Sequence, residues 1–354
     1  MKTLQMPGAQ AHRRYLVTGG LGYAGAWVTS QLAGHGHDVL VMSRGTDKPQ
    51  LTPNPAAESG ATPEQAAGVP YALIRADLAE QSPPEIAAVL PDALDGVVHA
   101  ASVNEAFVPD YGRKALAANV LGTRNLLEAL VLWGERRAAP LPLLVYFSTF
   151  HVYGESRGHI TENSPARPRG DYALTHLFAE EYCRMFARTK GLPQIVIRLS
   201  NGYGAPKTAT GAKWHLLLND LCRTAFSEGR IILRSDPAIQ RDFIWLGDVA
   251  AVVEALLLRP DLAGRMFTVS SGAAMGIGVV AQRVALAAAR FFNREIPLIL
   301  EGAPDPACGD HALLVDNSAL RAALDIPFHD RMDDEIDALF AVLAGHCQKP
   351  DKNM

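Results

Sequence analysis

Short, predominantly apolar runs alternate with longer helical patterns through the first two hundred residues. The runs are Y-L-V-T (15–18), D-V-L-V-M-S (38–43), Y-A-L-I-R (71–75), D-G-V-V-H-A-A (95–101), L-L-V-Y-F-S-T (143–149) and Q-I-V-I-R-L (194–199). A strand with one face in water alternates apolar and polar residues. These runs do not, so both faces are expected to be covered, as in a parallel sheet between helices. Helical patterns between the runs, such as that from about Ala24 to Ala33, supply right-handed crossovers. The pattern predicts an α/β fold, a doubly wound parallel sheet with a smaller C-terminal lobe. After Gly202 strands become sparse and helices less regular, and this part is expected to pack over the carboxyl edge of the sheet. The expected division gives 14–200 to the sheet domain, with 239–260 returning to it. Residues 201–238 and 261–345 go to the smaller lobe, and 345–354 to a frayed tail. Residues 45–70, rich in Pro, Gly, Ala and polar side chains, read as a long surface loop, either a tolerated insertion or a lid.

Composition narrows the classes. Of 354 residues 48% are hydrophobic and 20% charged, with a net charge of -4, so there is no electrostatic case for nucleic acid or an anionic membrane surface. Residues 1–14 lack the apolar core of a signal peptide, no apolar stretch reads as long enough to span a bilayer, and a cytoplasmic location is expected. Cysteines 183, 222, 308 and 347 are scattered without a C-x-x-C pair and read as free thiols. The histidines show no H-E-x-x-H spacing, and no metal site is expected.

The strongest local signal is T-G-G-L-G-Y-A-G, Thr18 to Gly25, between the first strand and the first helix. Gly20, Gly22 and Gly25 satisfy G-x-G-x-x-G, and Gly19 adds a related spacing. Such a loop turns sharply and lets backbone N–H groups approach a pyrophosphate at a helix N-terminus, which identifies a Rossmann-type dinucleotide site. An acid at the end of the second strand would select NAD. The chain has Ser43-Arg44 there, which favours NADP(H) over NAD. Asp77, after the third strand, either reaches the adenine amino group or caps a helix.

Several further motifs follow in order: D-L at 77–78, H-A-A-S at 99–102, N-V-L-G-T at 119–123, S-T-F-H-V-Y-G at 148–154, a helical tyrosine at 172, R-L-S-N-G-Y-G at 198–204 and R-D-F-I-W-L-G-D-V-A at 241–250. With the glycine loop, from about Arg14 to Leu343, the chain resembles the extended short-chain dehydrogenase/reductases, the NAD(P)-dependent epimerase/dehydratase family that modifies nucleotide sugars. The resemblance implies cofactor contacts at Gly19, Gly22, Tyr23, Gly25, Leu78, Ala100, Ala101, Asn119 and His176, beside Ser43, Arg44 and Asp77. It implies Thr149 as hydrogen-bond donor to the reacting oxygen and Tyr172 as acid/base. Asn119 would order the helix that carries residue 176, and Asn201 and Arg241 would hold a substrate diphosphate. Helices at about 112–133 and 172–190 would form a homodimer interface. Lys213 is a further candidate phosphate contact, and Trp214 either stacks on a base or sugar or lies in the lobe's core.

Two departures from the family bear on chemistry. The stretch D-Y-A-L-T-H has His176 where the family has lysine, one helical turn from Tyr172. A lysine ammonium about 5 Å from a phenolate, at an effective dielectric of about 20, contributes roughly 3 kcal/mol, or about two pKa units. An imidazole can donate to a ribose hydroxyl but is mostly neutral at pH 7. Glu180, one turn on, either favours a charged His176 or is structural. The second departure is A-C-G-D, Ala307 to Asp310, where the family has R-x-G-D. That leaves Arg241, with Lys213 or Lys207, for the phosphates. Phe150-His151 replaces the Asp-Glu pair of 4,6-dehydratases, and Phe150 cannot serve as an acid. The expected function is therefore an NAD(P)-dependent nucleotide-sugar epimerase or ketoreductase with Thr149, Tyr172 and His176 at the reacting carbon. The alternatives are a non-catalytic dinucleotide-binding sensor or scaffold, and a reductase of a non-sugar carbonyl.

Overall fold

The computed structural model describes residues 12–45, 48–52, 68–103, 109–208, 211–302 and 313–347. The first half contains β1 (Arg14–Thr18), α1 (Tyr23–Gly34), β2 (Asp38–Ser43), β3 (Ala72–Arg75), α2 (Pro83–Val89), β4 (Gly96–His99), α3 (Tyr111–Ala115), α4 (Gly122–Arg137) and β5 (Leu143–Thr149). Next come β6 (Gly158–Ile160), α5 (Asp171–Lys190), β7 (Gln194–Leu199), β8 (Asn201–Tyr203), α6 (Leu217–Glu228), β9 (Ile231–Leu233), β10 (Gln240–Trp245) and α7 (Leu246–Leu257). The chain closes with β11 (Met266–Val269), β12 (Ala274–Gly276), α8 (Ile277–Phe292), β13 (Leu298–Leu300), β14 (Leu313–Val315), α9 (Ser318–Ala323) and α10 (Met332–Cys347).

Seven strands form one parallel sheet in the order β11-β7-β5-β4-β1-β2-β3. The apolar runs have the expected cause. In β1, Tyr15 and Val17 face a core shared with α1 and α7, while Leu16 faces a second core shared with α2, α4 and α5. Each side of the strand is buried, so neither can be polar. Helix α4 inserts Leu126, Leu127, Leu130 and Trp133 into that second core. Truncating one such leucine to alanine costs about 2–5 kcal/mol. The order reverses between β1 and β4, and the crevice outside their carboxyl ends is where doubly wound sheets bind ligands.

The smaller lobe carries three short sheets, β12-β10-β8, β13-β9 and β14-β6. The boundary expected at 261 falls too early, because β11 adds to the edge of the large sheet beside β7. Its M-F-T-V run is only four residues long and gives little periodic signal. Helix α7 returns to the large sheet by packing on α1, while β10 stays in the lobe. Most of the 45–70 loop and the A-C-G-D stretch lie outside the described residues. Cys183 and Cys222 are free and buried, in separate cores.

One expectation about length needs correction. Within the 27-residue helical run Tyr111–Arg137, one 18-residue window has a mean hydropathy of 1.2, enough by composition to cross a bilayer, but 56% of that window is buried inside the protein. Its apolar side packs on the sheet and α2, which accounts for the composition.

Candidate active site

The glycine turn is shaped by close approach. Gly19 has φ +69°, and a Cβ there would lie 2.6 Å from the Ala101 backbone nitrogen. At Gly25 a Cβ would lie 2.2 Å from the Gly19 carbonyl oxygen. The Gly22 N–H closes the turn onto that same carbonyl at 2.9 Å. Gly22 then caps α1 without a side-chain acceptor, and the first turn of α1 holds no acid. The positive end of the helix therefore opens on the crevice unneutralised.

A cavity of about 820 Å³ runs from this turn to Tyr172. Its near end is lined by Gly19, Gly22, Tyr23, Gly25, Ser43, Arg44, Asp77, Leu78, Ala100 and Ala101. The Tyr23 phenol donates to the Gly204 carbonyl at 2.6 Å and accepts the Gly204 N–H at 3.2 Å, pinning the glycine loop to the smaller lobe. Arg44 is exposed at the rim, and Ser43 accepts the Gly45 N–H. Asp77 accepts the Ala79 N–H, while α2 has its own capping box of Ser82 and Glu85, so Asp77 caps no helix there. The cradle, the open helix end and the volume all fit a dinucleotide, and these are the residues that would hold it.

The far end is built from β5 and α5. Thr149 ends β5, where its hydroxyl accepts the His151 N–H at 3.2 Å. Tyr172 sits in the first turn of α5, and His176 follows one turn later with ring centroids 4.7 Å apart. Burial raises the Tyr172 pKa above that of a free phenol, and a hydrogen bond with Thr149 opposes the rise. His176 is buried, with Nδ1 2.9 Å from the Tyr146 phenol and Nε2 lacking any hydrogen-bond partner among the described residues. Burial pulls its pKa down to about 4 against the opposing pull of Glu180, so it is neutral at pH 7. Buried Glu180 is itself occupied. It accepts from Ser148 at 2.5 Å, from Arg198 at 2.9 and 2.7 Å, and from Arg184 at 2.8 Å. Burial would raise its pKa, but these partners hold the carboxyl below the usual range. The sequence left open whether Glu180 charges His176, and the geometry assigns it to the two arginines.

Asn119 does not line the cavity. It sits in a π-helical turn, Leu116–Leu121, that joins α3 to α4. Its Oδ1 accepts the Val103 N–H at 2.7 Å, and its Nδ2 donates to the Val103 carbonyl at 3.1 Å and to Thr175 Oγ1 at 3.0 Å. Thus Asn119 ties the segment after β4 to the helix turn between Tyr172 and His176. The wide turn also leaves Tyr111 and Lys114, one turn earlier, on the cavity wall.

Across the cavity, Asn201, Lys213 and Arg241 line the smaller lobe. Arg241 is half-buried, and among the described residues no carboxylate pairs with it. Its neighbour Asp242 is held by Ser200, Ser271 and the Gly272 N–H, and Asp248 pairs with His329. Asn201 donates to the Asp242 carbonyl at 2.8 Å. Two candidates are displaced. Trp214 packs against the core and is absent from the lining, and Lys207 is buried with its ammonium 3.9 Å from the Trp27 ring centroid. Trp214 is partly buried against the core, and the Lys207 ammonium makes a cation–π contact with Trp27 and feels the Glu335 charge. Sequence reading missed His151, which lines the cavity 6.1 Å from the Tyr172 ring. Burial and then the Arg241 charge lower its pKa. The signal is in the position itself, two residues after Thr149.

The sequence profile described as the NAD dependent epimerase/dehydratase family matches residues 15–270. A UDP-glucose 4-epimerase of Corynebacterium glutamicum is 28% identical over 322 residues, 86% of this chain and 87% of that protein. Alignments to the first relatives found span between 46% and 70% of those proteins. The UDP-glucuronic acid 4-epimerase of Bacillus cereus, solved with UDP-glucuronic acid and NAD, superposes with a TM-score of 0.72 at 18% identity, covering 94% of this chain and 99% of that one. RMD from Pseudomonas aeruginosa, solved with NADPH, gives 0.68 at 23% identity, covering 93% and 98%. At these identities the structural likeness is one of fold.

Proposed function

The chain belongs to the NAD dependent epimerase/dehydratase family, and we propose that it is an NAD(P)-dependent nucleotide-sugar epimerase or ketoreductase acting at a sugar carbinol or keto carbon. One observation carries this reading: a single cavity joins the glycine turn, the Thr149–Tyr172 pair and Arg241, which among the described residues has no carboxylate partner. The relatives' substrates, among them UDP-sugars, support the substrate class.

When bound, the dinucleotide supplies the hydride acceptor or donor and, oxidised, a positive charge. Tyr172 takes the proton from the substrate hydroxyl or returns it, and Thr149 hydrogen-bonds the same oxygen. His176 donates to the cofactor's ribose but brings no charge, since burial keeps it neutral. Arg241 pairs with the substrate's diphosphate, and Asn201 orders the strand beside it. His151, neutral and facing the same space, is a second group able to accept a proton from substrate. Ser43 and Arg44 favour NADP(H), with Arg44 exposed at the rim where a 2′-phosphate would meet it. A homodimer is supported by the exposed Leu116, Leu121, Leu174 and Phe178 on adjoining helices. Light scattering of the purified protein tests it.

A second reading has one observation in its favour. Among the described residues no cationic side chain lowers the Tyr172 pKa. A dinucleotide-binding sensor or scaffold would need none. Mass spectrometry of nucleotide released on denaturation, followed by a binding screen of UDP-, dTDP-, GDP- and CDP-sugars, separates the readings. Tightly held NAD with UDP-sugar binding identifies an epimerase, and exchangeable NADPH a ketoreductase. Dinucleotide binding without any sugar nucleotide supports the sensor or the non-sugar reductase, and binding of neither ligand overturns the proposal.

A further inference from the structure

His99 and His176 flank the Tyr146 ring, with centroids 5.5 and 6.0 Å from it, and all three side chains are buried. Their hydrogen bonding differs. His99 is saturated: Nδ1 meets Thr18 Oγ1 at 2.6 Å and Nε2 meets Thr123 Oγ1 at 2.8 Å. Thr123 donates its own proton to the Asn119 carbonyl, so it accepts from His99 Nε2–H, and Thr18 donates to Nδ1. His99 is locked and inert. Among the described residues His176 has one partner, Tyr146, and an unpartnered Nε2 that is itself buried, in a ring that lines the cavity.

One proton lies between Tyr146 and His176, and the surroundings decide whose it is. If Nδ1 carried it, the Tyr146 hydroxyl would accept, and its own proton would have no acceptor among the described residues. Nε2 would then be a bare acceptor as well, and each unmet buried group costs about 1–3 kcal/mol. If Tyr146 donates, only Nε2–H is left unmet. The phenol is held well above its ordinary pKa by burial and stays a donor. The Phe147 backbone raises the ring's pKa without bonding Nε2, and does not choose between the tautomers.

We infer that Tyr146 is a positioning residue, which donates to Nδ1 of His176, fixes the Nε2–H tautomer and so aims a neutral N–H donor at a hydroxyl acceptor of the dinucleotide's ribose. The inference rests on the dinucleotide reading of the cavity for its ligand, but not for the tautomer. It explains how the site works without an ammonium. A donor needs a fixed proton more than a charge, and an unanchored imidazole would present an acceptor in one of its two tautomers.

Imidazole nitrogen shifts from the ¹⁵N-histidine-labelled protein at neutral pH test it, with Tyr146→Phe alongside and NAD⁺ and NADP⁺ affinities measured by titration calorimetry. His176, assigned by its loss in His176→Gln, should show a protonated Nε2 and an unprotonated Nδ1. Tyr146→Phe should give a mixture of tautomers and about a tenfold weaker dinucleotide affinity. A protonated Nδ1 in the native protein overturns the inference without any variant, which covers a Tyr146→Phe protein that fails to fold. An unchanged tautomer in the folded variant removes Tyr146 from the role, and a changed tautomer with unchanged affinity removes the ribose. If the native protein binds no dinucleotide at all, the proposed function fails and the ribose with it, while the shifts still decide the tautomer.

Discussion

The two ends of the cavity are built on opposite principles. At the glycine turn the chain removes side chains so that backbone can act: the Gly19 and Gly25 positions have no room for a Cβ, and the helix end is left uncapped. At the tyrosine end, side chains act, and each is set by what is packed around it. Thr149 tempers Tyr172, Tyr146 anchors His176, and two arginines absorb Glu180. Backbone chemistry is rigid and hard to tune, because any substitution is a collision. Side-chain chemistry is adjustable, and this chain has adjusted it by placing an imidazole where the family has an ammonium.

Four substitutions test the contrast, starting with the largest effect. Tyr172→Phe should lower turnover by roughly 10²–10⁴-fold, the range for losing a general acid/base, with dinucleotide affinity unchanged by calorimetry. Loss of both together would mean that the two ends are not separable. His176→Lys should shift the alkaline limb of the pH–rate profile. Oxidation of an alcohol needs the phenolate, and the rate rises as pH passes the Tyr172 pKa. That pKa is raised in this chain, so the native limb lies high, and a lysine should move it down by about two units, up to about 100-fold in rate at a fixed pH on the limb. Superimposable profiles would remove residue 176 from any tuning role.

The third change attacks the other end. Gly25→Ala sets a methyl 2.2 Å from a backbone oxygen of the same loop, and the displaced turn should weaken dinucleotide binding by roughly 10- to 100-fold. The Tyr146–His176 tautomer signal should survive it, because the turn does not touch that pair. Arg44→Ala is the mildest. Steady-state kinetics with both cofactors should show the NADP⁺ preference over NAD⁺ falling by about tenfold, and an unchanged ratio would free Arg44 from selecting the cofactor.

The same contrast explains what could be read from the chain. Six strands of the large sheet announce themselves as predominantly apolar runs, because most of their positions lie buried between helices, though the edge strand β3 is partly exposed. The glycine turn is legible because steric exclusion leaves a mark at each residue. Tyr172 and Thr149 are legible only through the order of motifs around them. The π-helical turn at Leu116–Leu121 was invisible, since its L-A-A-N-V-L continues a good helical pattern. The Tyr146 bond to His176 spans thirty residues of sequence and follows from where two elements pack, which no local pattern encodes. Residue type left Trp214 between a ligand and the core, and packing against the core, unseen in a linear pattern, chose the core; the same burial took Lys207 off the cavity wall. His151 carried a positional cue that a search for acids passed over.

That π-helical turn has a consequence for how the chain could change. Each residue advances an α-helix by about 100°, so deleting one residue between Leu116 and Leu121 would rotate everything upstream by that angle relative to α4. Tyr111 and Lys114 would swing off the wall they now form, while the leucines clamped on the sheet kept their register. A single codon gained or lost there would reassign which side chains greet the ligand and leave the scaffold beneath untouched.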